Sequence, residues 1–161
     1  MLIAARSTAV ALAAVATLAL TACSTPTQNT RDDSGAITEA NDDADVFDLR
    51  VGDCLDEAGD EEVQSVPTVP CADEHDYEVY SSTDVEGGDY PGQDAVNAQA
   101  DEYCVMAFDA FVGTAYDESA LDYSYFTPTQ ESWDFNDDRE ILCMVFHPEE
   151  KLTGTAKGSQ A

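Results

Sequence analysis

The chain has 161 residues, with 34 Asp and Glu against 6 Lys and Arg and a formal net charge of −28. That length allows one domain, and the charge nearly excludes nucleic acid, because no basic cluster exists to release counterions from a phosphate backbone. A hydrophobic share of 43% and an aromatic share of 9% are too high for a wholly disordered acidic chain, so part of it buries a core.

Residues 1–22 hold no acid and one base, Arg6, followed by an uncharged run of Ala, Val and Leu over residues 7–22. This is the composition of a secretion signal, and the run falls short of the ~20 apolar residues that cross a hydrocarbon core. It ends in Leu20-Thr21-Ala22-Cys23, which resembles the bacterial lipobox, where a small residue precedes a cysteine that is diacylated before cleavage in front of it. The alternative is an ordinary signal peptide with a chance cysteine. Acyl chains on Cys23 would hold the protein on a membrane without electrostatic help, since each buried CH₂ contributes about 0.8 kcal/mol.

Residues 24–45 are polar, with Ile37 the one large apolar residue, and show no period of 2 or 3.6. They read as a disordered acidic tether whose 22 residues have an r.m.s. span of roughly 26 Å, standing the domain off the bilayer. Neither this run nor residues 53–62 fits a calcium-binding loop, so their acids read as solvated.

Globular patterning begins at Val46, and the domain is expected over residues 46–155, with 156–161 as a tail. Residues 46–55 alternate well enough for a short strand, followed by a loop rich in acid, Gly and Pro. Next, Tyr77, Val79, Ser81, Thr83 and Val85 alternate with Glu78, Tyr80, Ser82 and Asp84, the pattern of a half-buried strand. A helix is predicted over residues 95–112, with Asp94 as its N-cap and Val96, Ala100, Tyr103, Cys104, Ala107, Phe108 and Phe111 at three/four spacing. Gly113 supplies its stop. Two more strands follow, over residues 121–127 and 140–147. The second is apolar on both faces, which reads as a central strand covered on both sides.

Apart from Cys23 there are four cysteines, Cys54, Cys71, Cys104 and Cys143, an even number that suits a disulfide framework outside the cytoplasm. Four cysteines allow three pairings. The expected one joins Cys54 to Cys71 across a compact loop and Cys104 to Cys143 between helix and last strand. The chain-entropy model assigns these bridges about 3 and about 4 kcal/mol. No CxxC and no paired His/Cys spacing points to a redox or zinc site.

Four blocks resemble the septum formation-related domain of actinobacterial envelope proteins, over nearly all of residues 49–159. Val51-Gly52-Asp53-Cys54-Leu55 is similar to the opening of that family, and residues 69–80, with Cys71, His75 and Glu78-Val79, to its second cysteine block. Asp89-Tyr90-Pro91-Gly92, the helix with Cys104, and Phe111-Val112-Gly113 form the third. Pro128-Thr129-Gln130-Glu131-Ser132-Trp133 and Asp138-Arg139 lead to Cys143 in the fourth, trailed by residues 152–155 and 157–159. Glu74 stands where family members often have Pro, and Asp137 where they have Gly. The resemblance implies an extracytoplasmic module associated with division, and no activity.

Candidate chemistry is sparse. His75 and Glu78 could form a His/carboxylate site, a weak metal candidate if His147 joins it, against the plainer reading of a His bonded to turn backbone beside a disulfide. Trp133 and Arg139 could stack on a ligand, against a loop-buried aromatic beside an Arg that neutralises Asp134, Asp137 or Asp138. There is no GxSxG elbow, phosphate loop or HExxH to support a hydrolase. The expectation is an α+β domain, one long helix on a small, mainly antiparallel sheet with two disulfides, held by lipid on the extracytoplasmic face of the cell membrane. It would bind or scaffold an envelope protein through Tyr80, Tyr90, Trp133 and Arg139, without catalysis, metal or cofactor. The alternatives are a metal- or small-ligand-binding lipoprotein and an envelope hydrolase.

Overall fold

The run Ile141-Leu142-Cys143-Met144-Val145 needs apolar cover on both faces, and a central place in a sheet provides it. In the computed structural model, which describes residues 27–57 and 63–161, β7 (Glu140–Phe146) lies between β5 (Tyr77–Asp84) and β6 (Asp122–Phe126). With β1 (Asn41–Asp45), β2 (Cys54–Leu55) and β3 (Ser65–Val69) these strands form a six-stranded sheet of order β1-β3-β2-β5-β7-β6, and every ladder in it is antiparallel. A separate two-stranded ribbon joins β4 (Glu74–His75) to β8 (Leu152–Thr153).

One face of the sheet carries the long helix α1 (Gln93–Val112). Ile141, Cys143 and Val145 meet Val96, Ala100, Cys104, Phe108 and Val112 there. Residues such as Phe108, fully buried, contribute roughly 1.5–3 kcal/mol each by leaving water. The opposite face packs Leu142 and Met144 against Leu49, Leu55, Val66 and Val79, so β7 is the doubly covered strand that its sequence predicts. The two expected disulfides are present: Cys54–Cys71, with Cα atoms 5.2 Å apart, and Cys104–Cys143, at 5.6 Å, which ties α1 to β7.

Several local expectations are corrected. The N-cap of α1 is Gly92, at φ 95°, rather than Asp94, which falls inside the first turn where its carboxylate faces the positive helix end. Gly113, at φ 86°, ends the helix as predicted. The strand expected over residues 46–55 is broken. Val46–Asp48 is a 3-10 turn because Asp45 accepts from the Phe47 amide, Gly52 turns the chain at φ 95°, and Cys54–Leu55 alone are extended. In β5, Glu78, Val79 and Tyr80 are all buried, with Val79 and Tyr80 on opposite faces and an irregularity between Val79 and Ser81, so its first half is not half-exposed. β3 and β4 lie where a loop was expected. A second helix, α2 (Gln130–Asn136), occupies the loop assigned to Trp133.

The largest correction concerns the acidic run. The signal peptide expected over residues 1–22, the expected lipidation site Cys23 and residues 24–26 lie outside the described residues, but residues 27–45, expected as part of a disordered tether, belong to the fold. Their few anchors are strong. A hairpin closes between Thr30 and Thr38, with Asp32 accepting from Ser34 and Ala36 in its turn, and Ile37 is buried. From that hairpin Arg31 reaches Asp53 in a bidentate pair of 2.5 and 2.7 Å and donates to the carbonyls of Gly35 and Asp48. Asp53 is 2% exposed and also accepts from the Arg50 amide. Thr27 binds the far edge of β1, donating to Asp43 and accepting from Asp45. Composition missed this segment because it docks through a charged pair, a single Ile and backbone pairing of β1 with β3 instead of a periodic apolar face.

The expected tail is likewise integrated. The amides of Gly158 and Gln160 donate to the carbonyls of Phe111 and Val112, groups at the end of α1 that have no partner within the helix.

Candidate functional site

Trp133 is placed by a short helix with a strong start. Pro128 and Thr129 precede α2, the Thr129 hydroxyl accepts from the Ser132 amide at 3.1 Å, and Ser132 Oγ receives the Thr129 amide at 2.9 Å, a reciprocal cap. Asp137 closes α2 in the left-handed region at φ 55°. A glycine adopts this backbone at no steric cost, and Asp tolerates it better than most side chains, so the replacement at this position leaves the turn intact.

The chain then brings Arg139 back over Trp133, with its guanidinium carbon 3.7 Å from the ring centroid. That guanidinium donates to the carbonyls of Trp133 and Asp138 at 3.1 and 2.7 Å and pairs with Asp137 at 2.9 Å. On the other side Tyr90 packs edge-on against Trp133, centroids 5.4 Å apart. Burial pushes the Tyr90 phenol up from its ordinary value, and its hydroxyl donates to Gln93, which continues to Asn97 and Thr127. Three of the predicted contact residues, Tyr90, Trp133 and Arg139, therefore form one corner. The plainer reading of the Trp/Arg pair holds in its essentials, except that Trp133 sits on a helix rather than in a loop.

This corner lines an open cleft of about 670 Å³ with Asp89, Asp134 and Phe135. Phe135 was not singled out from sequence. It is 82% exposed, and a large apolar side chain left in water on a capped helix is the signal that structure adds. A second concavity of about 560 Å³ lies on the other face of the sheet, with Phe47, Val63, Phe126 and Leu142 in its wall and Glu131 and Glu140 among its acids.

The remaining predicted site residues turn inward. Tyr80 is 4% exposed, and its hydroxyl donates to the Cys104 carbonyl at 2.7 Å in the core, so it cannot serve as a contact residue. His75 is fully buried, with Nδ1 2.9 Å from the Asp73 carbonyl, which makes Nδ1 the protonated nitrogen. Its Nε2 is buried without a partner. Glu78 is 2% exposed and accepts from Thr155 Oγ1 and the Ala156 amide, both at 2.6 Å, so it pins the C-terminal segment rather than partnering His75. His147 lies beside Glu150, at 3.9 Å. Among the described residues, ligand atoms of Cys54, Cys71 and Glu78 come within 4.8 Å of one another, but the two sulfurs are already bonded together.

Fold and corner together define a small α+β module with two disulfides, in which most of the predicted polar site residues serve the scaffold and a corner with exposed Phe135 at its rim borders an open cleft. Residues 13–158 match the family model described as septum formation, nearly the whole chain, and the protein belongs to that family. Membership ties it to septum formation. No curated protein matches, and no solved structure does. Among the described residues, no helix is long and apolar enough to cross a membrane.

Proposed function

We propose that the protein is a lipid-anchored, extracytoplasmic binding module that scaffolds a partner in the cell envelope during septum formation, with no catalytic activity of its own. Cys23 is the attachment point, and the paired state of all four domain cysteines fits an oxidising compartment. The binding reading is carried by the corner. Trp133, 3% exposed, is too buried to make the contact itself and braces Tyr90 and Arg139 from beneath, which lowers their ordering cost, while exposed Phe135 offers an apolar anchor amid Asp89, Asp134 and Asp137. Such a surface fits a partner with an apolar pocket and a basic rim.

Proximity labelling from the full-length protein in its native cells tests this. Phe135→Ala should leave stability within about 0.5 kcal/mol, as expected for an exposed site, yet reduce labelling of envelope proteins. Cys23→Ala should abolish acylation and membrane retention. Labelling that is unchanged in Phe135→Ala and Tyr90→Phe would remove the corner as the contact surface.

A metal- or small-ligand-binding reading keeps one observation, the unpartnered Nε2 of His75. A thermal shift with Zn²⁺ or Ca²⁺ that His75→Ala abolishes would establish it, and the absence of any shift would dispose of it.

A further inference from the structure

We infer that the domain is held flush against the membrane surface, with the β1 edge and the Phe47 turn at the level of the lipid headgroups. This rests on the lipid attachment at Cys23 proposed above. Acyl chains fix Cys23 at the headgroup layer, and only Ser24, Thr25 and Pro26 separate it from Thr27. Four Cα steps span at most about 15 Å. At Thr27 the chain is already part of the domain, because its amide donates to the Asp43 carbonyl at 2.7 Å and its carbonyl accepts from the Asp45 amide at 3.0 Å. The same residue bridges Ala44, which is fully buried.

Behind that point residues 27–45 cannot pay out as slack while the latch holds. Arg31 is clasped bidentately by buried Asp53, the Asn29 amide donates to Asp48, and Thr68 donates to the Asn29 side chain at 2.6 Å. A free run of 22 residues would give an r.m.s. span of roughly 26 Å and a far longer reach, so the latch roughly halves the working distance and fixes which side faces the bilayer. Phe47, two residues beyond Asp45, to which Thr27 is bonded, and 55% exposed, is the large apolar group that follows directly on this anchored strand.

The test uses the full-length acylated protein with a fluorescent amino acid at position 47, reconstituted into phosphatidylcholine vesicles that carry a headgroup-labelled acceptor lipid. Neutral lipid avoids charge repulsion as a confounding force. Inserting about 20 Gly/Ser residues between Pro26 and Thr27 raises the r.m.s. span of the linker from roughly 10 Å to roughly 26 Å without touching a folded residue. Energy transfer should fall at least severalfold, and Arg31→Ala should lower it in the same direction. In the unacylated Cys23→Ala chain, Arg31→Ala should also speed amide exchange at Thr27 and Asp45. Mass spectrometry of each preparation separates the two failures. With the acyl mass present, equal transfer with and without the insertion overturns this inference alone. If the acyl mass is absent from Cys23, the anchoring reading falls and takes this one with it.

Discussion

Arg31 and Asp53 show how one residue can recruit a whole segment. The acid lies in a turn of the domain, the base in a polar run with little else to bury, and both leave water together. Removing one partner strands the other, so Arg31→Met should cost about 3–5 kcal/mol in urea denaturation. Adding Asp53→Asn should recover part of that loss, because the stranded charge is gone while an oxygen still accepts from Arg50. Trp133 offers a second test, since it is the one tryptophan in the chain and reports its own surroundings by fluorescence. Trp133→Ala removes a side chain that is 3% exposed and should cost about 3–5 kcal/mol. Arg139→Ala, which removes the stacked cation, should cost only about 0.5–2 kcal/mol and shift the emission.

Between elements, the covalent tie from α1 to β7 spans 39 residues and the one from β2 to the segment after β3 spans 17. The unfolded chain loses more freedom to the longer loop. Replacing Cys104 and Cys143 together by Ala should therefore lower stability by about 4 kcal/mol, against about 3 kcal/mol for Cys54 and Cys71, measured by chemical denaturation. The helix also depends on its C-terminal stop. A Cβ at Gly113 would sit 3.5 Å from the Gln160 side chain, ordinary contact, so the cost of Gly113→Ala comes from φ 86° and should be about 1–2 kcal/mol.

Across the whole molecule the charge is lopsided, yet the pH limit with a clear structural cause lies on the alkaline side. Tyr80, Tyr116, Tyr123 and Tyr125 pack around the helix and β6. Burial pushes the Tyr123 phenol up to about 12, with the Asp101 carboxylate beside it adding to the shift, and burial raises Tyr80 and Tyr125 as well. For Tyr116 the hydrogen bond to Asp122 is the main cause. In the unfolded chain these phenols ionise near 10. Their contribution to stability is thus complete below about pH 10 and is lost as pH rises toward 12, because the unfolded state gives up its protons first. Denaturation midpoints measured from pH 9 to 12 should fall steeply above 10, and Tyr123→Phe should flatten that fall.

Of the three pairings that four cysteines allow, the tertiary structure decides for Cys54–Cys71 and Cys104–Cys143, whereas the sequence by itself determined the family, the long helix with its Gly113 stop and the doubly buried strand β7. Each of these is written in periodic apolar spacing, or in residue types whose chemistry leaves few choices. It could not show that residues 27–45 fold, that Tyr80, His75 and Glu78 turn inward, or that Tyr90 and Trp133 meet across 43 positions of chain. Those outcomes depend on single long-range contacts, a buried ion pair, a capped seven-residue helix and a carboxylate that grips the C-terminal segment. Such contacts leave no periodic trace along the chain, because their energy exists only once the sheet has brought distant residues together.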